Sequence, residues 1–156
     1  MGPAAAGPSE LPVLTVRELN RALLARQHLL ARTAGGVVAM AHHLLRLQAQ
    51  NPPSPYPALW SRLEQFTHED LSQALHHREV ARIVVMRGTI HLVTAEDALT
   101  LPALVTPLLT GDLRTNPTFA RTLRDVDLDL LARLARDLVE AEPMTAAVLG
   151  THLALR

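Results

Sequence analysis

Apolar residues recur along this chain first at the spacing of a helix face and then as β-branched runs, and the change marks out its elements. Val16, Leu19 and Leu23 follow one another at intervals of three and four, which gathers side chains on one side of a helix. Thr15 and Glu18 stand ahead of them at capping-box spacing, where hydroxyl and carboxylate each accept from an orphan backbone N–H. A helix is therefore expected from Thr15 to about Ala31, with Leu29 and Leu30 extending it before Gly35-Gly36 interrupts. A second is expected from about Gly36 to Leu47, with Val37, Val38, Ala41, Leu44 and Leu45 as its stripe. Pro52 limits it, because Asn51 ahead of a proline is pushed out of the helical region. Four prolines in Asn51–Pro57 predict a stiff, extended connector. Beyond it Ala58–Gln65 reads as a short helix with Leu59 and Leu63 inward, and Thr67 caps another through His77 using Leu71 and Leu75.

Val80–Met86 is β-branched and apolar, Arg87-Gly88 is a turn signal, and Ile90–Thr94 is again β-prone. A tight hairpin is expected, with Ile83, Val85 and Ile90 turned inward. Helix, turn, helix, hairpin is the order of a winged helix, so the expected fold is mainly α with a small β-hairpin. Further on, Thr94-Ala-Glu-Asp97 caps a short helix, Pro102 and Pro107 segment an apolar stretch to Leu109, and Thr110–Pro117 reads as loop. Asp127 introduces a helix through Val139 bearing Leu131, Leu134 and Leu138, and Glu142–Thr145 opens another toward Arg156. The expected organisation is a disordered leader over 1–12, a winged-helix unit over 13–97, and over 98–156 a helical connector with the start of an incomplete second unit. The chain is thus expected to stop within a tandem winged-helix architecture.

Composition narrows the classes. With 48% hydrophobic residues, the 156-residue chain has enough apolar surface for one sizeable core. Its 15 basic residues, all arginine, match 15 acids, which removes a uniformly basic protein. The charge is uneven: residues 1–93 carry 9 Arg against 6 carboxylates and seven of the eight His, while the remainder is acidic. If any face meets an anion it is expected to be on the N-terminal portion, the alternative being an ordinary solvated surface. Without Cys there are no disulfides, thiolate metal sites or cysteine nucleophiles, and a reducing, cytoplasmic location is expected. No apolar run approaches the roughly 20 residues of a membrane span, so no membrane partner is expected.

The least ordinary stretch is Leu47-Gln48-Ala49-Gln50-Asn51. Gln48 lies seven residues after Ala41 and four after Leu44, so a continuing helix would carry its apolar stripe onto an amide. An inward Gln without partners costs on the order of 1–3 kcal/mol. If the chain is extended before Asn51, Gln48 and Gln50 point to the same side and two amides converge on one small polar object such as a water. The plainer alternative is a helix turn bonded to nearby loop backbone. The hairpin adds Arg82, Arg87, Thr89 and His91, polar residues suited to phosphates. His42-His43 and His76-His77 are adjacent pairs that diverge on a helix, so no metal and no cofactor is expected. No phosphate loop, serine elbow or isolated carboxylate pair is present, which excludes conventional hydrolases. Glu69 and Asp70 sit at the start of the presumptive recognition helix and would repel phosphates, so base reading by that helix is disfavoured.

Taken together, Leu47-Gln-Ala-Gln50, the proline-rich connector with Tyr56, Leu59, Trp60, Arg62 and Leu63, then Arg82 and Met86-Arg-Gly-Thr-Ile-His-Leu-Val93, resemble the AlkZ-like DNA glycosylases, bacterial winged-helix proteins. The resemblance spans Thr15 to Asp97 and, more loosely, extends to Arg156, the N-terminal part of generally longer proteins. It implies excision of alkylated, N7-substituted purines from double-stranded DNA, including unhooking of interstrand crosslinks, by a monomer when full length. Gln48 and Gln50 are then the pair that places the attacking water, and Arg82, Arg87, Thr89 and His91 lie on DNA. Related proteins carry an acid at the second motif position, where this chain has Gln50. Two other readings stand beside it: a noncatalytic winged-helix DNA-binding module, and an inactive, truncated fragment of such a glycosylase.

Overall fold

A computed structural model describes residues 13–155, apart from the side chain of Arg114. The leader expected over residues 1–12 lies outside them. The elements run α1 (Val16–Arg26), α2 (Val37–His43), β1 (Leu47–Gln48), α3 (Pro55–Trp60), α4 (His68–His76), β2 (Val80–Val84), β3 (Ile90–Thr94), α5 (Ala95–Thr115), α6 (Pro117–Ala120), α7 (Leu128–Ala141) and α8 (Ala146–Ala154). The fold is mainly helical with one small antiparallel sheet, and α2-β1-α3-α4-β2-β3 follows the winged-helix order. The chain divides after Leu104 into two compact units.

Local chemistry sets most of the helix starts. At α1 the Thr15 N–H donates to Glu18 Oε2 at 2.8 Å and the Glu18 N–H donates to Thr15 Oγ1 at 3.3 Å, closing the capping box. The Thr15 N–H and the Thr15 hydroxyl, which donates to Glu18 Oε2 at 2.8 Å, hold the Glu18 carboxyl below its ordinary pKa, the backbone bond being the larger cause. Asp70 Oδ2 accepts from Thr67 N at 2.7 Å at the start of α4, and Asp127 Oδ1 accepts from Leu130 N at 2.9 Å at α7. Thr145 caps α8 through Val148 N.

Four expectations need correction. First, α1 ends at Arg26 rather than near Ala31, because His28 takes a left-handed φ of 53° and leaves Leu29 and Leu30 outside the helix. Second, α2 ends at His43, and Leu45 at φ 62° turns the chain outward, so Leu47–Gln48 is a strand instead of a last helical turn. That strand makes the sheet three-stranded, in the order β1-β3-β2, where a two-stranded hairpin was expected. Third, the stiff connector stops at Ser54: Pro55 and Pro57 fall in the first turn of α3, where a missing N–H removes no helical bond. Fourth, Pro102 and Pro107 do not break the apolar stretch into pieces, and the loop expected from Thr110 is helix as far as Thr115. The Thr94 hydroxyl starts α5 by accepting from Asp97 N at 3.1 Å.

The core of the first unit lies between the helices and the inner face of the sheet. Val37, Met40, Ala41, Leu47, Leu59, Leu63, Leu71, Val80 and Leu92 are buried in it. Leu92 pairs with Leu47 on one side and Arg82 on the other, so the central strand carries the packing. Replacing such a leucine by alanine costs about 2–5 kcal/mol. The hairpin closes through Met86–Gly88, with Arg87 at φ 54° and Gly88 at φ 68° in the left-handed region that a three-residue hairpin loop needs. In the second unit α7 packs with α8. No described helix is long and apolar enough to cross a membrane.

Candidate functional site

The extended alternative for the Gln-x-Gln stretch is the one the backbone adopts. Gln48 and Gln50 are both exposed and flank Ala49, which is fully buried. Alternation therefore sends the two amides to one side while the methyl between them anchors in the core. The Ala49 N–H donates to Ile90 O at 3.0 Å, and the Ile90 N–H donates to Gln50 Oε1 at 2.9 Å. The second bond continues the β1–β3 ladder by one rung with a side-chain oxygen in place of a backbone carbonyl. Because an N–H needs an acceptor, it also fixes the amide orientation: Gln50 holds its oxygen on β3 and keeps its NH2 as the free end.

Arg82 reaches across the sheet from β2, and its Nη2 donates to Ala49 O at 2.8 Å. The peptide between the two glutamines is thus held at its N–H by β3 and at its carbonyl by a guanidinium. His91 stands opposite Gln48 in the β1–β3 register and is 4% exposed. Residues directly opposed in an antiparallel pair share a face, so its ring lies beside the Gln48 amide. Its Nδ1 is 2.9 Å from Thr89 O; a carbonyl only accepts, so Nδ1 donates. Thr89 is half-buried and donates its hydroxyl to Met86 O at 3.2 Å, while Arg87 is exposed at the hairpin tip. Gln48, Gln50 and His91 therefore gather on the β1–β3 edge, Arg82 reaches the peptide between the glutamines from β2, and Arg87 sits at the hairpin end.

Spacing along the chain does not reveal a second set of residues beside them. A cavity of about 700 Å³ is lined by Gln48 and His91 together with Arg26, His43, Arg46 and Arg62. Arg62 donates to Ala58 O at 2.8 Å, Ser61 Oγ at 3.2 Å and Gln27 Oε1 at 3.2 Å, while its buried Nε has no acceptor. Burial lowers its pKa from the ordinary arginine value, yet a guanidinium remains charged. His43 donates Nε2–H to Arg26 O at 2.7 Å, tying α2 to the end of α1. These residues come from four separate segments, and only Arg62 and His43 lay within stretches singled out from sequence, neither of them for this cavity. A different concavity of the unit has the opposite sign: Glu64, Glu69, Asp70 and Glu79 line it near the start of α4.

The fold and this edge define a winged-helix-like protein whose distinctive polar groups lie on the sheet rather than on the helix-turn-helix. Comparison of the sequence with family models matches the family described as DNA glycosylase AlkZ-like over residues 41–156. That is more than half of the chain, which includes both glutamines, Arg82 and the hairpin, and the chain belongs to this family. Its function is accordingly of the DNA-repair glycosylase type, and DNA is its partner. No curated protein and no solved structure matches the chain.

Proposed function

We propose that this protein hydrolyses the N-glycosidic bond of N7-alkylated purines in double-stranded DNA, with Gln48 and Gln50 holding the attacking water. The observation that carries the reading is the shared face of the two amides, fixed from below by buried Ala49 and from the sides by Ile90 and Arg82. An N7-alkylated purine is cationic and leaves readily, so no strong general acid is required. Water oxygen bonds to the anomeric carbon, the bond to the base nitrogen breaks, its electron pair neutralises the purine cation, and the water proton passes to solvent. The amides do not act as bases of the carboxylate kind; they orient the nucleophile. Gln48 Oε1 accepts from the water, and the free Gln50 NH2 donates to its second lone pair.

Arg87 and Thr89 are assigned to the DNA surface of the hairpin and Arg82 to both that surface and the motif, whereas His91, buried to 4% exposure, is assigned to the wall beside Gln48 instead of the hairpin surface expected for it. Residues 13–97 form the catalytic winged-helix unit in this reading, with 98–156 a helical region that follows it, working as a monomer in the cytoplasm. Unhooking of an interstrand crosslink at a purine N7 follows from the same bond cleavage. The acidic concavity beside α4 supports DNA approaching by the glutamine edge. The experiment is base release from duplex DNA carrying N7-methylguanine, at low salt, by the parent chain and by Gln48→Ala/Gln50→Ala. Release by the parent that vanishes in the double variant is expected. Equal release by both removes the amides from the chemistry, and none from a folded parent leaves a DNA-binding module.

A further inference from the structure

The cavity beside Gln48 has a charge pattern that the hydrolysis above does not use. Arg26, Arg46 and Arg62 line its wall, and among the described residues no carboxylate does. The hydrogen bonds of Arg62 all go to neutral oxygens, so its half-buried charge is not neutralised by the protein. Arg46 is half-buried and, among the described residues, makes no hydrogen bond to the protein. Guanidinium forks with no internal anion are suited to a tetrahedral oxyanion. The wall that carries this charge also carries Gln48 and His91, so an anion seated here lies next to the motif amide.

We propose that this cavity seats a phosphodiester group flanking the nucleotide acted on, held by Arg46 and Arg62 with Arg26 at its edge. The inference rests on the glycosylase reading for the choice of anion. A sugar whose anomeric carbon reaches Gln48 carries its own phosphates covalently, so one of them is delivered to the neighbouring surface. The seat would fix that sugar relative to the amides. It differs from the hairpin contacts, because none of its arginines lies on β2, the hairpin loop or β3.

Binding of a fluorescein-labelled undamaged duplex by the full chain, followed by anisotropy from 50 to 200 mM salt, tests this. Arg46→Gln is expected to lower the slope of log affinity against log salt by about 0.9, the value of one phosphate contact. Arg46→Gln/Arg62→Gln should lose about the same in total, because both arginines serve one phosphate, whereas Arg17→Gln on the first turn of α1 should lose nothing. Arg62 also braces α3 against Gln27, so Arg62→Lys, which keeps the charge, should keep the slope if its role is electrostatic. Side-chain ¹⁵N–¹H spectra add a second reading: the Arg46 and Arg62 Nε–H signals should move with duplex at concentrations where inorganic phosphate moves neither. Movement with inorganic phosphate alone makes this a free-anion site and overturns the assignment to a strand. An unchanged slope in Arg46→Gln, or a parent that binds no duplex, overturns the seat as well. A slope effect without base release removes the glycosylase reading and leaves the seat standing; base release without a slope effect does the reverse.

Discussion

Arg82 separates two ideas about the same residue. From its place on the hairpin it is a phosphate contact, whereas its 2.8 Å bond to Ala49 O makes it a brace for the peptide that joins the two glutamines. Arg82→Met keeps much of the stem and removes the donor. A hydrogen bond from a charged group contributes about 1.5–3 kcal/mol, and exposure of the Arg82 side chain reduces that to about 1 kcal/mol. Stability should therefore change little, since the Ala49 N–H still donates to Ile90 O. The chemical step is more sensitive, because a displacement of about 1 Å between a positioned group and its target costs up to 100-fold. A 10- to 100-fold fall in single-turnover base release at saturating duplex is expected, equivalent to about 1.4–2.7 kcal/mol of barrier. Arg82→Lys should recover part of that rate, since an ammonium can still donate to the carbonyl. The refuting result is an unchanged saturated rate in Arg82→Met with the salt slope of binding down by about 0.9; Arg82 would then act on DNA and not on the motif.

Further outcomes follow from other contacts. Gln50→Ala should lose the rung to Ile90 N, about 0.5–1.5 kcal/mol, and base release with it, whereas Gln50→Glu keeps an acceptor for that N–H; amide exchange at Ile90 distinguishes them. Leu92→Ala, in the fully buried centre of the sheet, should cost about 2–5 kcal/mol in denaturant unfolding, against a small change for the exposed Leu99→Ala. Glu18 has its carboxyl lowered by bonds from Thr15, so its contribution is present above the ordinary carboxylate pKa and is lost as pH falls through the lowered one. Fraying of α1 on acidification, seen in the Glu18 amide signal and absent in Glu18→Gln, is the expected observation.

What the sequence made legible is what neighbours along the chain decide. Thr15 with Glu18, Thr67 with Asp70, Asp127 and Thr145 announce their helices because a cap is made within three residues. The β2–β3 hairpin was equally local, and the periodicity identified Leu59, Leu63 and Leu71 as core. The short strand β1 was not legible: its two residues gain their partners only from Leu92 and His91, and the left-handed turn at Leu45 carries no glycine to signal it. Local pattern favoured helix there, and long-range pairing prevailed. The site shows the same division. Gln48 and Gln50 stood out as amides in an apolar context, but the brace from Arg82 spans 33 residues of sequence. The gathering of Arg26, Arg46 and Arg62 depends on how α1, the link after α2 and the end of α3 meet. Those meetings have no signature in spacing.

The rung from Ile90 to Gln50 also has a kinetic meaning. β1 is a two-residue strand at the edge of its sheet, the kind of element that opens locally long before a domain unfolds. Because Gln50 is both part of that ladder and part of the motif, each opening of the strand takes the amide out of register and each closing returns it. The fraction of molecules ready to hold the water then equals the closed fraction of one short strand. Changes that loosen or tighten this edge would tune turnover while leaving the melting temperature almost where it was.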